Sequence, residues 1–89
     1  MRTDEPSSSP RWIVRSAEDF GRAIAGVRAE RRLTQEALAE EVGVDRSYIA
    51  RLERGMATLA LERVLRMLRR MGATVTITLD DDRDDDAAG

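Results

Sequence analysis

A chain of 89 residues is expected to form one domain, and at this size about 60–65% of the unfolded surface is buried, so the core is modest. It has neither cysteine nor histidine, which excludes disulfides, thiolate zinc sites, thiol nucleophiles and the commonest general base. The net charge of −2 hides a segregation: residues 11–79 carry 13 arginines against nine acidic residues, whereas residues 80–86, DDDRDDD, carry six aspartates and one arginine.

Every basic residue is arginine. Arginine suits bidentate contact with phosphate and guanine; the same bias also marks a GC-rich genome. No apolar run approaches the ~18–20 residues of a membrane span. The opening MRTDEPSSSPR has no apolar stretch of the kind a signal peptide needs. A soluble, cytoplasmic protein is the expectation, with no metal site, no cofactor and no catalytic residue.

Residues 1–11, with two prolines and three consecutive serines, read as a disordered leader. Trp12-Ile13-Val14 is an apolar cluster, either a brief strand or a plug on the core. Ser16 is placed to cap a first helix, with Asp19 in the capping-box position. That helix is expected to run to about Arg31 with Phe20, Ile24 and Val27 on one face. Gly21 and Gly26 weaken it by roughly 1 kcal/mol each relative to alanine, unless they allow a close backbone approach.

Thr34 is the next cap, opening a helix over about Gln35–Val42 with Leu38, Ala39 and Val42 inward. Gly43 suits the left-handed residue that ends it. Asp45 is read as the cap of a third helix, about Arg46–Arg54, with Ile49 and Leu52 inward and Gly55 as its stop. Thr58 opens a fourth, about Leu59–Met71, whose main stripe is Leu61, Val64, Leu65 and Leu68. Met67 and Met71 widen that stripe beyond what one packed face needs.

The period then changes to two. In ATVTITL, residues 73–79, Val75, Ile77 and Leu79 alternate with threonines, the signature of a strand. A lone strand leaves its backbone groups unpaired. Pairing with a second copy across a two-fold axis would also bury Val75, Ile77 and Leu79, with Met71 beside them. The rival is pairing with Trp12–Val14 inside the chain. Residues 12–79 thus form the domain, and 80–89 an acidic, disordered tail. A divalent metal among Asp80–Asp86 is disfavoured, since flexible carboxylates bind weakly.

Thr34–Gly55, TQEALAEEVGVDRSYIARLERG, places a small residue at Ala39, a turn glycine at Gly43 and two anchors at Ile49 and Leu52. This is the pattern of a helix-turn-helix, which pushes its second helix into the major groove of DNA. With Ile49 and Leu52 inward, Arg46, Ser47, Tyr48, Ala50 and Arg51 face out. Arg46 and Arg51 then become the candidates for bidentate contact with guanine, worth about 1–3 kcal/mol of discrimination each; otherwise they are a solvated helix face. Ser47 suits a base or a phosphate, and Tyr48 a thymine methyl or a phosphate. Thr34 and Gln35 sit at the amino end of the second helix, whose free N–H groups suit a phosphate. Glu53 lies toward the first helix, where Arg28 is a suitable ion-pair partner.

These residues resemble the Xre/Cro-type helix-turn-helix family over roughly residues 17–71. TQEALAEEVGV and IARLERG are its two signature pieces, and Arg28 and Glu53 match the family's ion pair. A narrower likeness is carried by VRSAEDFGRAI, LERVLRMLRRMG and TVTITL, which resemble HipB-type antitoxins. Those are small dimeric autorepressors whose C-terminal strands pair across the dimer and which neutralise a HipA-type serine/threonine kinase toxin.

The resemblance implies a lambda-repressor-like, all-α fold of four to five helices with a C-terminal strand pairing across a homodimer. It implies base-reading roles for Arg46, Ser47 and Arg51 and a phosphate contact at Gln35. The implied partners are a palindromic operator in double-stranded DNA, a second copy of the chain and a HipA-like kinase. The other reading is a solitary Xre-type regulator without a toxin. The loop Met56-Ala57-Thr58 lacks the proline common in the wider family, and the acidic tail is a further departure.

Overall fold

The computed structural model describes residues 9–80. In chain order the elements are β1 (Arg11–Val14), α1 (Ala17–Glu30), α2 (Gln35–Val42), α3 (Arg46–Glu53), α4 (Leu59–Arg70) and β2 (Val75–Thr78). Among the described residues the fold is four helices with a small two-stranded sheet formed within the chain, rather than the all-α domain with one strand given to a second copy. The leader expected over 1–11 is too long at its inner end, because Arg11 is already in β1 and the Pro10 carbonyl accepts the Leu79 N–H at 3.2 Å. The rest of the expected leader and nearly all of the tail, with its aspartates after Asp80, lie outside the described residues.

Caps set the helix starts. Ser16 accepts the Asp19 N–H at 3.2 Å, Thr34 that of Ala37 at 3.0 Å and Thr58 that of Leu61 at 3.2 Å. Each satisfies a donor that a helix amino terminus leaves free. Asp19 completes the box one residue early, accepting the Arg15 N–H at 3.0 Å. Asp45 stands at the N-cap position of α3 but makes no capping bond, which corrects the role read for it.

The expectation that the C-terminal strand is left for a second copy is also corrected. β2 pairs antiparallel with β1 in the register Trp12↔Ile77 and Val14↔Val75. Paired residues share a face, so one side of this ribbon presents Trp12, Val14, Val75 and Ile77 together. That side lies on Ala23 of α1 and Leu65 of α4 and forms the main core. Val75, Ile77 and Leu79 are thus half-buried within their own chain, and their apolar surface is used without a dimer. Of the four residues read as a dimer contact, Met71 alone is open to solvent, 72% exposed.

Two glycines fix how α1 sits. A side chain on Gly21 would collide with the Leu52 carbonyl oxygen and meet that of Glu53 at 2.8 Å, so this glycine lets α1 approach the end of α3. A side chain on Gly26 would meet the indole nitrogen of Trp12 at 2.7 Å, so this glycine lets the Trp12 ring pack closely on α1. Two inward assignments are reversed. Val42 ends α2 pointing outward and 58% exposed, and Val64 of α4 is 45% exposed.

Candidate nucleic-acid interface

α2 and α3 form the reading unit. Gly43 adopts φ +79°, the left-handed conformation that lets the chain turn sharply after one short helix. Its N–H and that of Val44 both return to the Ala39 carbonyl, at 2.9 and 3.0 Å. Ala39 and Ile49 are buried where the two helices meet. A methyl at Ala39 is small enough for α3 to lie against α2, and Ile49 is the anchor that orients α3.

With Ile49 inward, the opposite side of α3 is defined. Arg46, Ser47, Tyr48 and Arg51 are all exposed, and Ala50 is half-buried. Both arginines therefore lie on solvent-facing positions of an eight-residue helix, spaced five residues apart in sequence.

The far end of α3 is tied down by an ion pair. Arg28 Nε donates to Glu53 Oε2 at 2.7 Å and Arg28 Nη2 to Glu53 Oε1 at 3.0 Å, a two-pronged contact. The side chains are only 21% and 9% exposed. Arg28 Nη1 also donates to the Leu33 carbonyl at 2.9 Å. Hydrogen bonding from Arg28 holds the Glu53 carboxyl below the usual carboxylate range. The cluster joins α1, the α1–α2 turn and α3, as the pairing of Arg28 with Glu53 in the sequence suggested.

Gln35 is the member of this cluster that sequence reasoning missed. Its Nε2 donates to Glu53 Oε1 at 2.9 Å. The side chain assigned to a phosphate is turned instead onto the ion pair. An amide at the second position of a T-Q-E-A signature gives no sequence signal of which way it points. Thr34 is exposed but its hydroxyl already caps α2. What remains for an anion at this helix start is the backbone: the first N–H groups of α2 have no intrahelical acceptor. Beside them stands Arg32, exposed and the one non-glycine residue with positive φ among those described, at 58°. The sequence reading gave this residue no role.

The geometry is that of a rigid, arginine-bearing rod offered outward beside a helix amino terminus. The Helix-turn-helix family model matches residues 24–77. The chain belongs to this family. The helix-turn-helix is of the Xre and lambda-repressor type, and the chain is a DNA-binding transcriptional regulator. No curated protein and no solved structure matches it. Among the described residues no helix is long and apolar enough to cross a membrane, and no group of three or more acidic residues is gathered as for a metal ion.

Proposed function

We propose that this regulator is a sequence-specific repressor that reads a palindromic operator with two copies of α3, one per half-site. Arg46 and Arg51 each contact a guanine edge, Ser47 and Tyr48 contact adjacent bases or phosphates, and the amino end of α2 clamps a phosphate. The single observation that carries this reading is the exposure of Arg46, Ser47, Tyr48 and Arg51 together on a helix held by a buried Ile49. Two recognition helices on one face of the duplex sit about 34 Å apart.

The test is selection of preferred duplexes from random DNA, followed by titration of the selected site at several salt concentrations. Binding is expected to weaken steeply with salt as phosphate contacts release counterions. Arg46→Ala and Arg51→Ala should each lose roughly tenfold or more in preference at a defined base pair, with a G·C pair at that position. Equal binding to selected and random duplex by the folded protein refutes sequence reading.

The narrower role is that of antitoxin to a HipA-type serine/threonine kinase. Its support is the likeness of residues 14–24, of α4 and of TVTITL to HipB-type antitoxins. In that role the kinase binds through helix α1, the leader and the outer face of α4, and the chain represses its own operon. A HipA-like gene beside this one, and co-purification of its product, are the expected findings. If the neighbouring genes encode no kinase and none co-purifies, the protein is a solitary regulator.

A further inference from the structure

Residues 81–86, DDRDDD, carry five aspartates against one arginine, and contact with DNA gives them no role. Where the chain leaves the domain is defined by two separate contacts. The Asp80 carbonyl accepts a hydrogen bond from Arg31 Nη2, at the C-cap of α1. Just before it, Ile77 of β2 lines one cavity together with Val27, Arg31 and Leu33. The end of β2 therefore runs against the turn between α1 and α2.

That turn is a basic corner without local counter-charge. The Arg31 guanidinium meets a backbone carbonyl, and the Arg32 side chain is exposed. Among the described residues the ion pairs join Arg22 to Asp19 and Arg28 to Glu53, so neither Arg31 nor Arg32 holds a carboxylate. Two residues after Arg32, Thr34 caps α2, whose first N–H groups the DNA reading assigns to a phosphate.

We propose that the aspartates of 81–86 bind across Arg31 and Arg32 in place of DNA phosphate, so that the protein carries its own competitor for the clamp at the start of α2. The inference rests on the DNA reading of that corner and assigns its regulation. Reach is not limiting. Six residues span up to ~20 Å, whereas Arg32 directly follows the residue that holds Asp80. A segment tethered this close meets the corner at an effective concentration of about a millimolar or more. Aspartate offers arginine the same charge-assisted hydrogen bonds that a phosphate does.

Such competition has a signature. The tail must leave before any duplex is clamped, so selected and random duplexes are weakened by the same factor and base preference is untouched. Salt loosens the tail as it loosens DNA. The two effects partly cancel, and the salt dependence of binding flattens. The rival contact is Arg11, which is exposed and stands opposite Thr78 in the ribbon. A tail held there would cover the outer side of the sheet and leave the DNA corner free.

The experiment compares the full chain with one carrying Asp81→Asn, Asp82→Asn, Asp84→Asn, Asp85→Asn and Asp86→Asn together. Each is titrated by fluorescence anisotropy against selected and random duplexes. The asparagine chain is expected to bind both about three- to tenfold more tightly at about 50 mM salt, with little difference at about 200 mM. Adding Arg31→Gln and Arg32→Gly to both chains should remove most of that gain, whereas adding Arg11→Ala should leave it whole. Without DNA, the amide resonances of residues 32–35 should differ between the two chains at low salt and converge at high salt. Equal affinities overturn the proposal. A gain abolished by Arg11→Ala alone places the tail on the sheet and also overturns it. So does a gain that survives all three arginine substitutions, the outcome expected of long-range repulsion between the tail and DNA. Unchanged resonances at 32–35 refute the contact even where affinity moves. Shifted resonances in a chain that binds no duplex refute the DNA reading instead, and the tail contact stands.

Discussion

Replacing Glu53 by glutamine removes one charge and almost no volume, so it isolates what the ion pair contributes. Glu53 accepts three hydrogen bonds, two from Arg28 and one from Gln35. A glutamine keeps one acceptor oxygen and turns an NH₂ toward the guanidinium, leaving the Arg28 charge without its counter-charge. Fully buried pairs lose about 3–5 kcal/mol when one member goes, and exposed pairs about 0–1. At 9% and 21% exposure this pair stands between them, and a loss of about 2–3 kcal/mol is expected at pH 7. For a domain this size each kcal/mol moves the midpoint by roughly 4–8 °C, so Tm should fall by about 10–20 °C.

The pH dependence supplies the internal check. Arg28 depresses the folded-state pKa of Glu53. A depressed carboxylate contributes stability that is present above the unfolded pKa, about 4.3, and is lost as pH falls through the folded value. The gap between wild type and Glu53→Gln should therefore hold steady near neutrality and narrow progressively below about pH 5. Other carboxylates titrate in both proteins and cancel in the difference. Urea unfolding followed by circular dichroism from pH 7 to 3 measures it. A loss under about 0.5 kcal/mol at pH 7, or a gap that does not close in acid, refutes the claim that this pair ties α3 to α1.

Three further outcomes follow from the same geometry. Gly21→Ala should gain up to about 1 kcal/mol in helix propensity. It should still lower net stability by about 1–3 kcal/mol, because its methyl meets fixed backbone carbonyls of Leu52 and Glu53; a higher Tm would show that α1 and α3 can part freely. Arg32→Gly should raise stability by about 0.5–1 kcal/mol, the relief of a left-handed non-glycine residue less the added chain entropy, and an unchanged urea midpoint would contradict it. Gln35→Ala should lower stability by about 1 kcal/mol through its lost bond to Glu53 and barely alter DNA affinity in a filter-binding titration. A large affinity loss in a stable protein would restore Gln35 to the phosphate.

Local signals in this chain were legible wherever one residue type dictates one conformation. Gly43, Thr34 and Thr58 mark the ends of α2 and α4 because a left-handed turn and a hydroxyl cap leave few alternatives. The outward set on α3 followed from the spacing of two anchors. Arg28 and Glu53 could be paired because few partners exist for a charge near the core. What periodicity does not encode is the partner of each face. The alternation of ATVTITL specifies a strand and its apolar side. It carries nothing about whether the edge meets Trp12–Val14 or another copy, since both present the same backbone. Val64 and Val42 were misread for a related reason: an apolar arc wider than one contact does not reveal which part of it turns inward.

The correction of β2 changes what the domain has left to cover. Because Val75 and Ile77 close the core against Trp12 and Val14, the strand no longer needs a partner to hide its side chains. The large apolar side chains that stay exposed are spread over several elements, at Ile13 on β1, Val42 on α2, Met56 between α3 and α4, and Leu59, Val64, Met67 and Met71 on α4. A small domain leaves apolar surface of this kind in water as a matter of course, because too little of its chain is interior to hide it. The apolar content of ATVTITL is therefore accounted for by the domain's own core, and the strand by itself gives no reason to expect a second copy.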